Sequence, residues 1–151
     1  MRIIAGVLCD YAEVREGLLT IVSAGITRLW RAELPAPMGV FLALQVEVEA
    51  NERPFPHELE VAITGPSGKA TGKVTGGFQV GPGGDFEADE CALVNVPLDL
   101  RMVNVEEIGW YLLAISIDGG EAYPLKVRVG LPQAAPPDPG IRIAPHGGRT
   151  H

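Results

Sequence analysis

The stretch GWYLLAISIDGGEAYPLKVRV, residues 109–129, decides the fold class of this chain. Apolar side chains occupy every second position before and after the Asp-Gly-Gly of residues 118–120. They are Tyr111, Leu113, Ile115 and Ile117 on one side, and Tyr123, Leu125, Val127 and Val129 on the other. Such alternation around an Asp-Gly turn predicts a β-hairpin with one face buried and one face in water. We therefore predict an antiparallel β protein.

The rest of the chain has the same pattern, because apolar residues alternate in short segments that Gly- and Pro-rich turns separate. In segment 18–30 the alternation changes phase at the Ser-Ala-Gly of residues 23–25, which predicts a β-bulge. We expect residues 10–16 to form a turn, with room for one helical turn capped by Asp10. Besides the hairpin, the predicted strands are residues 2–9, 18–30, 40–49, 58–64, 73–80 and 92–100.

Short strands without an amphipathic helix predict an all-β fold. We expect an antiparallel β-sandwich of about eight strands, with an immunoglobulin-like or related topology, over residues 1–131. Residues 132–151 contain five prolines and three glycines. Because they carry few large apolar side chains, they cannot offset the entropy of ordering. We predict that they form a flexible, disordered C-terminal tail.

The charge of the chain argues against two classes of partner. The formal net charge is −7, and no Lys/Arg cluster is visible in the sequence. An acidic domain of this kind suits neither nucleic acid nor an anionic membrane, so we expect neither. The N-terminus lacks a secretory pattern, and no apolar run approaches the roughly 20 residues of a transmembrane helix. We therefore expect a cytoplasmic protein.

Groups that could carry catalysis are sparse. In a reducing cytoplasm the two cysteines are expected to be free thiols, with Cys9 packed inside and Cys91 on the outer face. Residues 65–69, GPSGK, resemble part of a phosphate-binding loop but lack its first glycine and its hydroxyl, so we predict a hairpin turn there. Of the three histidines only His57 lies in the domain. We expect no cofactor, and a hydrolase that uses Cys91 or His57 stays open as an alternative.

An acidic loop is the candidate ion site. Four carboxylates fall within six residues of a predicted loop: Asp85, Glu87, Asp89 and Glu90. Ca²⁺ prefers oxygen ligands, and carboxylates at the loop tips of a β-sandwich are able to hold it. A solvated loop that discourages edge-to-edge pairing is the simpler interpretation. A sandwich that binds Ca²⁺ or a small ligand through these four residues is our second functional hypothesis.

The closing hairpin also carries the candidate interface. Trp110, Leu112 and Ala114 fall on the hairpin face that is expected to point outward. A contiguous apolar surface marks a contact region, so we predict that the tail, another strand or a second subunit covers this face. Trp30 is interpreted as a strand-end core residue, with a platform for carbohydrate stacking as the alternative. Our leading hypothesis is a non-catalytic module that contacts a protein partner or forms a homodimer.

Residues 10–28, DYAEVREGLLTIVSAGITR, resemble the N-terminal signature of a family of small uncharacterised bacterial proteins. In that signature an apolar strand precedes Asp-x-Ala-x-Val-x-x-Gly-Leu-Leu-x-Val and a Gly-containing segment. The matching residues are Asp10, Ala12, Val14, Gly17, Leu18, Leu19 and Ile21, followed by Ala24 and Gly25. The Gly-x-Tyr and Ile-Asp-Gly elements of the closing hairpin fit the same family. The resemblance covers about residues 2–129; it implies an all-β domain and no particular activity.

Overall fold

The computed structural model describes residues 1–81 and 86–132, which form twelve β-strands and no helix. The all-β prediction is confirmed. The strands are β1 Arg2–Cys9, β2 Tyr11–Arg15, β3 Leu18–Val22, β4 Arg28–Trp30, β5 Ala36–Pro37, β6 Phe41–Val48, β7 His57–Thr64, β8 Ala70–Phe78, β9 Ala92–Asp99, β10 Asn104–Val105, β11 Gly109–Ile117 and β12 Tyr123–Gly130.

Two main sheets share one hydrophobic core. The larger sheet has the strand order β4-β12-β11-β7-β8, and the smaller one has the order β1-β6-β9. All of their strand pairs are antiparallel except β12 with β4, which is parallel. Inward side chains of both sheets pack into a single buried cluster, to which β6 and β11 contribute four side chains each. The buried members of these two strands are Leu42, Leu44, Val46, Val48, Tyr111, Leu113, Ile115 and Ile117.

The closing hairpin forms as its alternation predicts. Strands β11 and β12 pair from Gly109 opposite Val129 to Ile115 opposite Tyr123. In the turn that follows β11, Asp118 and Gly119 have φ angles of 50° and 70°. The Gly120 N–H donates to the Ile117 carbonyl at 2.9 Å, which closes a tight turn within the connection between the two strands. Positive φ at both central residues is what a type I′ turn requires. The predicted turn at residues 65–69, which connects β7 to β8, is also confirmed. There the Gly68 N–H donates a hydrogen bond to the Gly65 carbonyl at 3.0 Å.

The segment from residue 10 to residue 30 differs from the prediction. Strands β2 and β3 form a separate hairpin, whose two-residue turn has Glu16 at φ 51° and Gly17 at φ 77°. The predicted turn with Asp10 as a helix cap was therefore wrong. The phase change at residues 23–25 is not a bulge: Ser23 and Gly25 have φ angles of 54° and 91°, and the chain leaves the hairpin there and joins the larger sheet as β4.

The predicted count of about eight strands was too low. One predicted strand, residues 18–30, is two strands in different sheets, and β2, β5 and β10 were not predicted. Strands of two to five residues contain too few positions for a period-two pattern to stand out. The immunoglobulin-like topology stays a prediction at this point. The predicted tail, residues 132–151, falls outside the described residues except for Pro132.

A second, smaller core lies beneath the β2–β3 hairpin. Its buried members are Cys9, Ala12, Phe41 and Ala43. The side-chain amide of Asn95 on β9 donates to the carbonyl of Gly17 at 2.8 Å, and this bond holds the tip of the hairpin against the smaller sheet. The hairpin is therefore attached to the smaller sheet, so the outer face of the larger sheet is left uncovered by it.

Candidate functional site

The outer face of the larger sheet follows from the register of its strands. On β11, Trp110 lies opposite Arg128 of β12, and Leu112 lies opposite Lys126. The intervening Tyr111 and Leu113 are fully buried, so the residues between them point the other way, out of the core. We call the surface formed by Trp110, Leu112, Ala114, Lys126 and Arg128 the tryptophan face.

The predicted interface residues all lie on this face, although β11 is an interior strand of its sheet. Trp110 is 52% exposed and Leu112 is 37% exposed, while Ala114 is half-buried. Outward positions of a solvated antiparallel sheet are usually polar. The structure thus places a large aromatic and a large aliphatic side chain where water-facing residues are expected. Their role as a contact surface stays a prediction.

Strand β4 extends the tryptophan face at its edge. Because β4 runs parallel to β12, Arg28 lies opposite Arg128, and Trp30 lies opposite Gly130. Trp30 is 48% exposed, so its interpretation as a core residue was wrong. A Cβ atom on Gly130 would stand 2.8 Å from Cζ3 of the Trp30 ring. Glycine at this position therefore lets the indole lie against the strand.

A shallow groove runs beside Trp30. Its volume is about 310 Å³, and its lining residues are Arg28, Trp30, Ile108, Arg128, Val129, Gly130 and Leu131. The lining combines apolar side chains, of which Ile108 is 54% exposed, with two guanidinium groups. Such a groove is able to accept an apolar side chain that has a negative charge next to it.

His57 lies at the start of β7, and it forms a clamp rather than an open site. Its Nδ1 is 2.8 Å from Oδ2 of Asp118, and its Nε2 is 3.1 Å from the carbonyl oxygen of Glu52. Both partner atoms are acceptors, so both bonds form together only when each ring nitrogen carries a hydrogen. The hydrogen bond from His57 and a second one from the Glu58 N–H lower the pKa of the Asp118 carboxyl.

The hydrogen bonds of His57 count against the hydrolase alternative. His57 is only 6% exposed, and both of its ring nitrogens are engaged. To act as a base it would have to give up one of these bonds. The nearby Glu60 carboxylate is engaged as well, because it binds the Lys73 ammonium at 2.8 Å.

The acidic loop is described in part. Glu87, Asp89 and Glu90 are exposed, and the Glu90 carboxylate accepts a hydrogen bond from the Glu87 N–H at 3.0 Å. Asp85 lies outside the described residues. Within residues 1–81 and 86–132, no group of three or more His, Cys, Asp or Glu side chains is arranged to hold a metal ion. The Ca²⁺ site therefore stays a prediction that depends on Asp85.

Both cysteines are free, as predicted: Cys9 is buried, and Cys91 is exposed. Burial raises the pKa of the Cys9 thiol, which suits a packing role. In the part of the chain that the structure describes, no helix is long and apolar enough to cross a membrane.

Sequence reasoning found Trp110 and Leu112 but missed Arg28, Trp30 and Arg128 as their neighbours. The parallel pairing of β4 with β12 joins residues that are about a hundred positions apart. A local sequence pattern cannot predict such a pairing. One signal was available at one of the two tryptophans: Trp30 stands between Arg28 and Arg31 in the sequence.

Fold and surface together define an all-β protein with two main sheets around one core, and with an exposed face that is both aromatic and basic. The chain belongs to a family of unknown function, DUF6941, whose model matches residues 4–130. The family assignment agrees with the resemblance to an uncharacterised family. No curated protein and no solved structure matches the chain.

Proposed function

We propose that this domain is a non-catalytic protein-interaction module and that the tryptophan face is its contact surface. One observation carries the proposal. On β11, Trp110 lies opposite Arg128 of β12 and is half-exposed next to Leu112, which has a paired residue on each side. Tryptophan is enriched at the energetic centres of protein interfaces, where burying it removes a large apolar area from water.

The surroundings of Trp110 suit a protein partner. An antiparallel sheet offers a broad surface with few backbone groups to satisfy, so side chains determine what binds. Trp30 and Ile108 add exposed apolar surface around the groove that Arg128 also lines, and Arg128 lies opposite Trp110. The exposed apolar surface of this sheet face is therefore not a single residue. Isolated exposed apolar residues occur on most proteins and would not support this proposal.

Trp110→Asp tests the proposed function by affinity capture. Full-length wild-type protein and the variant serve as baits in lysate, and mass spectrometry identifies what each retains. We expect the variant to lose the specific partner, because a carboxylate cannot be buried against an apolar surface without a large desolvation cost. The melting temperature of the variant establishes that it is folded.

Phe55→Asp is the matched control. Phe55 is an aromatic residue that is 60% exposed and precedes β7, away from the tryptophan face. The same change in charge and the loss of an exposed aromatic ring at Phe55 should leave capture intact. If Trp110→Asp and wild type retain the same partners, the tryptophan face is not the contact surface.

We also propose a cytoplasmic location, in a bacterium, for this module. The two free cysteines support it, because exposed unpaired thiols such as Cys91 persist in a reducing compartment. Fractionation of cells that express the full-length protein tests the location directly.

A further inference from the structure

We infer that the partner of the tryptophan face presents an acidic protein segment, in which carboxylates flank apolar side chains. This inference rests on the proposed function, because it names the chemistry of the partner at the same surface. It follows from the positions of the basic side chains that the fold leaves without a carboxylate.

Most of the described basic residues have an acceptor within the domain. Five of them form salt bridges with carboxylates: Arg2, Arg15, Lys69, Lys73 and Arg101. Arg31 and Arg53 instead donate to backbone carbonyls. Among the described residues, no salt bridge or side-chain hydrogen bond is formed by the remaining three, Arg28, Lys126 and Arg128.

These three cations lie together. Arg28 lies opposite Arg128 across the β4–β12 pair, and Lys126 is two residues from Arg128 on the same side of β12. Like charges directly opposite each other on paired strands destabilise a sheet. The chain has 19 acidic residues against 12 basic ones, yet none of the described carboxylates reaches this cluster. An anion from outside would relieve the repulsion and provide the missing partner.

The apolar side chains beside these cations indicate which kind of anion fits. Trp110 lies directly opposite Arg128, and the groove beside Trp30 has both guanidinium groups in its lining. A segment that places an apolar side chain in the groove would bring a neighbouring carboxylate to Arg28 or Arg128. Arginine binds carboxylates through two parallel hydrogen bonds, which adds orientation as well as attraction.

A second copy of the chain is a poor occupant of this face. In a two-fold dimer the same patch meets itself, so the three cations of one copy would face a patch that carries the same three cations and no carboxylate. Residues 132–151 are poor candidates as well, because they contain Arg142 and Arg149 against one acidic residue, Asp138. Nucleic acid is disfavoured by the net charge of −7, since a long polyanion would also meet the acidic surroundings.

The test is selection from a random peptide library displayed on phage, with full-length protein as bait. Trp110→Asp serves as the subtraction bait, so that only peptides that need the tryptophan face are counted. We expect the selected peptides to be enriched in Glu and Asp next to aromatic or aliphatic residues. We expect their affinity to fall as salt concentration rises.

Paired substitutions locate the charge contribution. Arg28→Gln with Arg128→Gln should weaken a selected acidic peptide by about tenfold or more, because two charge-assisted pairs are lost. Arg15→Gln with Lys69→Gln makes the same change in net charge at other surfaces, and it should leave binding unchanged. Thermal melts confirm that both double variants are folded.

Several results overturn the inference. The first two are enrichment of neutral or basic peptides, and no enrichment over the Trp110→Asp bait. The other two are a peptide affinity that stays unchanged when both arginines are replaced, and displacement of the peptide by single-stranded DNA. A concentration-dependent dimer that Trp110→Asp abolishes assigns the face to a second copy and overturns it too. The proposed function is judged separately, because it fails only if Trp110→Asp retains the partners that wild type captures.

Discussion

At the scale of single residues, Tyr111 shows how one side chain serves both core and loop. Its ring is fully buried, and its hydroxyl accepts hydrogen bonds from the Glu106 and Glu107 N–H groups at 3.0 and 2.9 Å. The same hydroxyl donates to the Glu107 carbonyl at 3.2 Å. The tyrosine thus fixes the chain just before β11, which also carries Trp110. The alternation in the sequence predicted its burial, but nothing in the sequence predicted these bonds.

Replacing Tyr111 with Phe should therefore destabilise the domain. The change keeps the ring but leaves two backbone N–H groups without their acceptor, which costs about 1–3 kcal/mol in the free energy of unfolding. Urea denaturation measures the loss. Tyr11→Phe is the control, because Tyr11 is exposed and its hydroxyl bonds only to the Glu13 carboxylate, at 3.2 Å. We expect a change below about 0.5 kcal/mol there. Equal effects of the two changes would mean that the Tyr111 hydroxyl contributes nothing.

At the scale of elements, the His57–Asp118 clamp joins the start of β7 to the turn after β11. The two residues are 61 positions apart, so no short-range pattern could have paired them. The two hairpins are short-range features, and only one of them was predicted. The β11–β12 hairpin was predictable because both of its strands are long and an Asp-Gly turn joins them. The β2–β3 hairpin was missed because its strands have five residues each and its Glu-Gly turn is a weaker signal.

Asp118→Asn should weaken the clamp in a pH-dependent way. The pKa of Asp118 is lowered in the folded state, so its contribution to stability is present above the unfolded pKa of about 3.9 and is lost as pH falls through the folded pKa. Asp99 and Glu52 also have lowered pKa values, so the wild type loses stability in acid for several reasons. The variant should therefore lose less stability on acidification than the wild type does.

At pH 7 the same substitution should cost about 1–3 kcal/mol, because the buried ring of His57 loses its charged acceptor. Denaturant unfolding between pH 7 and acid measures both effects. Glu121→Gln, a change at an exposed carboxylate in the same connection, is the control and should behave as wild type. Coincident pH profiles for Asp118→Asn and wild type would show that the clamp does not stabilise the fold.

At the scale of the whole molecule, the immunoglobulin-like topology stays a prediction, with which the strand order can be compared. If β1, β6, β7, β9, β11 and β12 are taken as strands A, B, C, E, F and G, the two sheets read A-B-E and G-F-C. These neighbours are those of immunoglobulin sheets, and Tyr111 bonds upstream as a tyrosine corner does. The all-β class was predictable from local alternation, whereas the exposure of Trp30 depends on the non-local pairing of β4 with β12.

The central claim is that the tryptophan face is covered when the partner binds. The chain has two tryptophans, Trp30 and Trp110, and both are half-exposed on or beside this face. The decisive measurement is therefore tryptophan emission and acrylamide quenching of the full-length protein, with and without its captured partner. A partner without tryptophan, or one with its tryptophans replaced, keeps the signal specific. We predict a shift of emission to shorter wavelength and weaker quenching on binding. The claim would be contradicted if sedimentation shows that the partner binds and the tryptophan emission and quenching stay unchanged.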